Sequence, residues 1–439
     1  MLENNFYNAD KSVRVCVVNF FIGGNMKVKL NLKNVILISS GLLILLLILG
    51  ISILALANKK PVAAFYGISE RNVEKISSVL QSTHTRKNKK AAYNIVVLES
   101  NISLENALKK VKRPDILFIY NGKNADFAES YSKKKNISFD KQILEGMSSS
   151  VIKSVNIKNE KVYKVPLLID NCEVDVNRGA FNNSKVKEIR VLSDVENFAQ
   201  QIKKDYLAPI VFAGADNYEF INFFGALTES ISGIDTLKQA TNKLNEFTNS
   251  KNLNYIEFNK VVQEMLLVGG EFSKTAELLQ KWYKDGIIPS NVYKMNSRDV
   301  KSYMEQNLCG VSFLTLSEHR TVKQRTIEGF TSVYYPSVSA NVERTFSAPI
   351  IMAVPYSKNK IAIDSVKKLA SVEYQEKLSV QTGLAPVQKN CSIPDRQADD
   401  VRYWVAASET PYVGLAEAAF TSDYTRKLFA ETLRKYLQQ

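Results

Sequence analysis

The sequence predicts an α/β protein of two lobes, preceded by one N-terminal transmembrane or signal-anchor helix. Three observations predict it. Val35–Ala57 is an apolar run of 23 residues without a charge, and roughly 20 helical residues cross a bilayer core. About 380 residues follow that run, more than one hydrophobic core usually holds. From Pro61 onward, short apolar runs alternate with amphipathic segments, the pattern of βαβ units around a parallel sheet.

Residues 1–25 lack helical periodicity. Met26 then opens a basic segment, 26–34, with Lys27, Lys29 and Lys33 ahead of the apolar run. This is the layout of a basic n-region before an h-region. Ile22-Gly23-Gly24 can be encoded by a purine-rich ribosome-binding sequence, so Met26 is expected to be the start and 1–25 a spurious or disordered leader. The run at 35–57 ends Ala55-Leu56-Ala57, a pattern that signal peptidase accepts, yet it is longer than the usual h-region of about 7–15 residues. An uncleaved single-pass anchor in the cell membrane is the preferred expectation. Cleavage near Ala57, releasing a secreted body, is the alternative. The lysine bias across the run, three before and two after (Lys59, Lys60), keeps the N-terminus inside and the body on the extracytoplasmic side.

The first exported strand is Pro61–Gly67. Ser69 is placed to cap a helix carrying Val73, Ile76, Val79 and Leu80 on one face. Tyr93–Leu98 and Pro114–Tyr120 are further strands, separated by a short helix at Ser103–Val111 and followed by one at Asp126–Lys133. Ligands in such sheets sit at the carboxyl ends of the strands, here Tyr66–Ser69, Glu99–Asn101 and Tyr120–Gly122. Two extended pieces, Val162–Ile169 with Pro166 inside it and Cys172–Val176, suit a chain passing between lobes. Ser193–Gly286 is mostly helical around a strand at Pro209–Gly214. It contains the aromatic-rich helix Tyr218–Ser230 and the helices Phe258–Val268 and Ser273–Lys284. Cys309–Leu316 and Ser347–Pro355 are strands. Ile361–Ala370, Glu373–Thr382 and Asp423–Leu437 are helices.

The formal charge is +14 and the pI about 9.3. The lysines are scattered, which reads as a solvated surface, and no aromatic-interleaved basic run points to nucleic acid. The cysteines are Cys16, Cys172, Cys309 and Cys391, with no CxxC pair, and only His84 and His319 are histidines. Neither a disulfide framework nor a Cys/His zinc site is expected. No metal and no cofactor is expected.

Val162-Tyr163-Lys164-Val165-Pro166, running on to Asn177 and Phe181, resembles the "VYGxP…YNxxxF" segment of bacterial extracellular solute-binding proteins of the sugar-binding type (family 1, maltose-binding-like). Later pieces are similar to that family in the same order: Leu279–Pro289, Ser302–Leu314, Tyr334-Tyr335-Pro336, Ser347–Asn359 and Ala370–Val387. Lys164 and Val176 replace the family's glycine and tyrosine, and Cys309–Phe313 replaces its Gly-Lys-Ala-Ala-Met. The resemblance implies a periplasmic-binding-protein-like (type II) fold. Its lobe one would hold residues 58–168 plus 308–353, and lobe two residues 170–307 plus 355–439, closing like a hinge.

No GxSxG, Walker or GxGxxG motif is present, and no spacing pairs the carboxylates for catalysis. The chain therefore reads as a binding protein and not an enzyme. Sugar sites set aromatic faces against the ring and a few polar groups against its hydroxyls. The candidates are Tyr66, Tyr120, Asn121, Asp170, Tyr218, Tyr335 and Trp404, with Trp404 the best single aromatic. Trp282 shares a helix with Leu278 and Leu279 and is expected in the core. The expected partners are a sugar-like small solute and an ABC permease, with no nucleic acid, and the chain is expected to be monomeric. The alternative is a membrane-anchored sensor or surface scaffold that has lost transport.

Overall fold

The computed structural model describes residues 60–84, 92–111, 113–248, 254–338, 349–407 and 413–439. Residues 1–25, the basic segment and the apolar run Val35–Ala57 lie outside them, as does Cys16. Among the described residues no helix is long and apolar enough to cross a membrane. Pro61–Gln439 forms one compact unit.

Its strands, in chain order, are β1 (Val62–Tyr66), β2 (Asn94–Leu98), β3 (Ile116–Tyr120), β4 (Phe139–Asp140), β5 (Lys161–Val162), β6 (Val165–Ile169), β7 (Cys172–Asn177), β8 (Ala208–Phe212), β9 (Cys309–Thr315), β10 (Phe330–Val333), β11 (Ile350–Pro355) and β12 (Ala385–Pro386). The first sheet has the order β12-β6-β11-β3-β1-β2 and the second β10-β7-β9-β8, while β4 and β5 form a separate ribbon. β1 pairs in parallel with β2 and β3, as the βαβ pattern predicts. β11 is antiparallel to both β3 and β6. Every residue of β1, β3, β6 and β11 is buried, which is why these runs are continuously apolar rather than alternating. Phe65 and Phe118 stack across β1 and β3 with centroids 4.7 Å apart. Pro166 explains an irregularity in this sheet. Proline offers no N–H to the ladder, and the pairing of β11 shifts there, from Ile351 opposite Leu168 to Met352 opposite Pro166.

Two hydrophobic cores coincide with the two sheets. One gathers side chains from Ala63 to Ile169 and from Ile350 to Val405. The other gathers Cys172 to Phe330 and Leu415 to Leu437. The chain therefore passes between them at Asp170-Asn171, between Val333 and Ile350, and between Ala407 and Leu415. These boundaries differ from the expected ones. β9 pairs with β7 and β8 in the second sheet, so residues 309–315 stand apart from the first lobe. The helices Lys360–Leu369 and Arg396–Ala407 contribute Ala362, Val366, Leu369, Ala398, Val401 and Val405 to the first core, so the return to the second lobe comes only after Ala407. Strands of similar apolarity fit either sheet, and partner choice is made by segments far apart in sequence.

Local signals behave as their chemistry dictates. Asn177 caps the helix Arg178–Asn183 by accepting from the Ala180 N–H at 3.1 Å. The mostly helical stretch expected from Ser193 opens with the helix Leu192–Ile202, in which Asp194 accepts from the Val191 N–H at 3.0 Å. Lys164, which stands where the resembling pattern has glycine, is only 4 % exposed. Its ammonium is held by Asn121 Oδ1 at 2.9 Å, Asp126 at 2.7 Å and Glu129 at 3.3 Å. Cys172, Cys309 and Cys391 are free and buried.

Candidate binding groove between the two cores

The carboxyl ends of β1, β2 and β3 meet a segment from the far end of the chain. The Tyr66 hydroxyl donates toward the carbonyls of Ile102 at 2.7 Å and Thr421 at 2.8 Å. The Asp423 N–H donates to the Ser100 carbonyl at 2.8 Å, and the Ser100 hydroxyl to the Asp423 carboxylate. Asn124 Nδ2 donates to the Thr421 carbonyl at 3.2 Å. Gly122 makes the closest approach. Its φ is +129°, and a Cβ there would lie 2.5 Å from the Glu417 carbonyl oxygen. Only glycine lets the two backbones come this near.

Beside this contact lies a groove of about 1360 Å³. Asn101, Asn124 and Phe127 line it from the first core's side, and Asn217, Thr421 and Tyr424 from the second's. Phe127 and Tyr424 are 42 % and 58 % exposed. Lys123 reaches Thr248 Oγ1 at 3.0 Å, and burial lowers its ammonium to about 8. Amides, hydroxyls and two open aromatic rings can both hydrogen-bond a polyol and cover its apolar face.

A buried polar cluster lies at the junction of the cores. Asp170, fully buried, accepts from the Asn171 and Ser317 N–H groups, both at 3.0 Å, and from the Tyr120 hydroxyl at 3.2 Å. Burial pushes its carboxyl up to about 6 in spite of those donors. The Tyr120 and Tyr218 rings lie 5.9 Å apart, and Tyr218 touches both cores. The Glu417 carboxyl faces the Tyr218 hydroxyl, and the Arg426 guanidinium stands 5.8 Å from its ring centroid. Glu219 accepts from Thr315 through its N–H at 3.0 Å and its hydroxyl at 2.9 Å. Burial pushes this carboxyl up to about 8.

The structure thus brings Tyr120, Asp170 and Tyr218 together, and places Tyr66 and Asn121 at the same strand ends. None of the five lines the groove; of them Tyr66 bonds to two lining residues, Ile102 and Thr421. Two candidates lie elsewhere. Tyr335 packs in the second core, 5.8 Å from Phe313. Trp404 is half-buried against the first core, edge-on to Tyr334 at 5.6 Å. It was expected on a return into lobe two, but its helix belongs to the first core. Trp282 is fully buried, as expected, with its indole N–H on Glu196 at 3.0 Å. Sequence reasoning missed Phe127, Asn217 and Tyr424. Asn101 and Asn124 were within reach, because they flank the strand ends already singled out.

No protein-family model and no curated protein matches the chain. Solved structures do. The bacterial solute receptor AcbH, described as preferring β-D-galactopyranose, has a TM-score of 0.62 at 11 % identity, covering 86 % of this chain and 97 % of that one. A chitin oligosaccharide binding protein has a TM-score of 0.59 at 10 % identity, covering 86 % and 97 %. A sugar transporter protein of Bacillus licheniformis, solved with stachyose, has a TM-score of 0.57 at 12 % identity, covering 86 % and 98 %. The chain has the two-lobed α/β fold of these solute receptors.

Proposed function

We propose that the protein is an extracytoplasmic solute receptor, a binding protein and not an enzyme, that captures a carbohydrate in the groove between its cores and serves an ABC permease. The observation that carries this reading is the groove itself. It lies at the carboxyl ends of β2 and β3, takes walls from both cores, and combines Asn101, Asn124, Asn217 and Thr421 with the open rings of Phe127 and Tyr424. The end-to-end fold likeness to sugar-binding receptors supports it. The size of about 1360 Å³ exceeds the ~300–1,000 Å³ usual for small-molecule sites, which favours an oligosaccharide over a single sugar ring. Tyr120, Asp170 and Tyr218 then set how closely the two cores approach. Residues 35–57 direct the body across the membrane and hold it there as a single-pass anchor, and the receptor works as a monomer.

The test is a thermal-shift screen of residues 58–439 against mono- and oligosaccharides. A ligand at about 100 times its Kd stabilises the native state by ~2.7 kcal/mol. For a body of ~380 residues, with an unfolding entropy near 2 cal/mol/K per residue, that is about 3 °C. Phe127→Ala and Tyr424→Ala should abolish the shift. Absence of any shift across the panel at millimolar sugar would overturn the receptor reading and leave the scaffold alternative.

A further inference from the structure

A second set of buried polar groups lies on the opposite face of the second sheet. β7 alternates: Val174 and Val176 enter the second core, so Glu173 and Asp175 project to the other side. Asp175 stands opposite Ser312 on β9 and Ser332 on β10. His319, at the end of the helix Leu316–His319, and Gln397, on the helix Arg396–Ala407, close over this face. Glu173, Asp175 and His319 are each 0 % exposed. His319 Nδ1 lies 2.7 Å from Glu173 Oε2 and 3.4 Å from Asp175 Oδ1, and the three ligand atoms sit within 4.8 Å of one another. Gln397 Nε2 is 3.3 Å from the same imidazole nitrogen and 2.7 Å from Ser332 Oγ. Among the described residues, Glu173 Oε1, Asp175 Oδ2, Ser312 Oγ and Gln397 Oε1 have no hydrogen-bond partner although they are buried.

Orphaned polar atoms of this kind cost about 1–3 kcal/mol each, and their concentration in one place needs a physical reason. Two carboxylates and one imidazole without water carry a charge of −1 even when the imidazole is protonated. The neighbouring Arg320 is already matched by Asp395. A dication with two carboxylates and a neutral imidazole sums to zero. Tetrahedral zinc, with ligands at ~2.0–2.1 Å, needs ligand atoms about 3.3 Å apart, close to the spacing of His319 Nδ1 and Asp175 Oδ1. Turning the Gln397 amide end for end exchanges its oxygen and nitrogen with almost no change of shape and supplies an oxygen as the fourth ligand. Calcium and magnesium demand six to eight oxygens, usually including waters, more than this closed set offers.

We propose that Glu173, Asp175, His319 and Gln397 form a Zn²⁺ site. Gln397 belongs to a helix of the first core, and the other three ligands to the second sheet and its adjoining helix. The metal therefore pins one core against the other.

The test uses the full chain in detergent, stripped with a chelator and without sugar, so its outcome does not depend on the groove being a sugar site. Titration with Zn²⁺ by calorimetry should give one site per chain. Asp175→Asn and His319→Gln should each weaken it by about tenfold to hundredfold. Zinc absorption spectroscopy of the wild-type chain should show only nitrogen and oxygen neighbours, and it decides the matter even if a variant fails to fold. Lack of saturable binding, or a sulfur neighbour from Cys172, Cys309 or Cys391, would overturn the proposal. So would unchanged affinity in a folded Asp175→Asn chain; a proton shared by His319 and Glu173 would then be the whole content of the cluster.

Discussion

Gly122→Ala separates backbone strain from contact between the cores. The backbone at Gly122 has φ +129° and ψ −161°, a region that side chains rarely enter, and forcing one there costs about 1–3 kcal/mol. The new methyl group would also meet Glu417, with its carbonyl oxygen at 2.5 Å and its carbonyl carbon and Cβ both at 2.8 Å. Neither partner is a flexible side-chain end, so the helix Leu415–Ala419 must move away from β3 by several tenths of an ångström. Repacking of this kind costs a further ~1–3 kcal/mol. The expected total is roughly 2–6 kcal/mol, or about 3–8 °C for a body of this size. Gly67→Ala is the control. Its φ of +68° carries the strain, but nothing lies within 4 Å of its Cβ. Paired calorimetric scans of the two variants should place Gly122→Ala lower by about 1–3 kcal/mol, with faster hydrogen exchange in residues 415–423. Equal destabilisation of the two would refute the claim that Gly122 sets the distance between the cores.

Three further predictions follow from the same contacts. Asp170 has its folded pKa raised to about 6, above an unfolded value near 4, so the stability associated with its neutral form is present below about pH 4 and lost as pH rises through 6. Asp170→Asn should flatten the wild-type decline between pH 4 and 7 by up to about 3 kcal/mol; parallel curves for the two proteins in denaturant titrations would contradict this. Lys164→Met should cost about 3 kcal/mol, because Glu129 and Asn121 lose their buried ammonium. The double variant with Glu129→Gln should recover part of that loss in urea unfolding, and no recovery would show that the ion pair is not the cause. Tyr66→Phe should cost about 0.5–1.5 kcal/mol and raise hydrogen exchange at residues 421–424, where its hydroxyl meets the Thr421 carbonyl; unchanged exchange would place the effect elsewhere.

Much of the fold was legible because it rests on local patterns. The runs at Pro61–Gly67, Tyr93–Leu98 and Pro114–Tyr120 all form strands; the first and third are buried along β1 and β3, while β2 at the sheet edge is mostly open, and the chain just beyond β2 and β3 borders the groove. The passage from one core to the other at Asp170-Asn171 falls between the two consecutive strands β6 and β7. The membership of β9 was not, because an apolar strand fits either sheet and its partners β7 and β8 lie far away in sequence. The groove was only half legible. Phe127 looks like a core residue on a short amphipathic helix, and only the placement of Thr421–Tyr424, almost 300 residues later, leaves its ring open. Trp404 is singled out by its place on an expected return into lobe two, but its helix packs on the first core and away from the groove's lining. Glu173, Asp175 and His319 were invisible as a cluster, since nothing in the spacing of β7 announces a histidine some 146 residues downstream.

The interleaving of the two cores also bears on how the chain is made. β3 and β6 are not neighbours; β11 lies between them, and it leaves the ribosome about 180 residues after β6. The first sheet therefore cannot complete itself while the second is being synthesised, and β3 and β6 wait with open edges. The segment 415–427, which covers the strand ends, follows β11 by about 60 residues. Its Leu415, Ala416, Ala419 and Phe420 enter the second core while Thr421 and Tyr424 form one wall of the groove. That wall and this part of the second core are therefore laid down together, after β11 has joined β3 to β6.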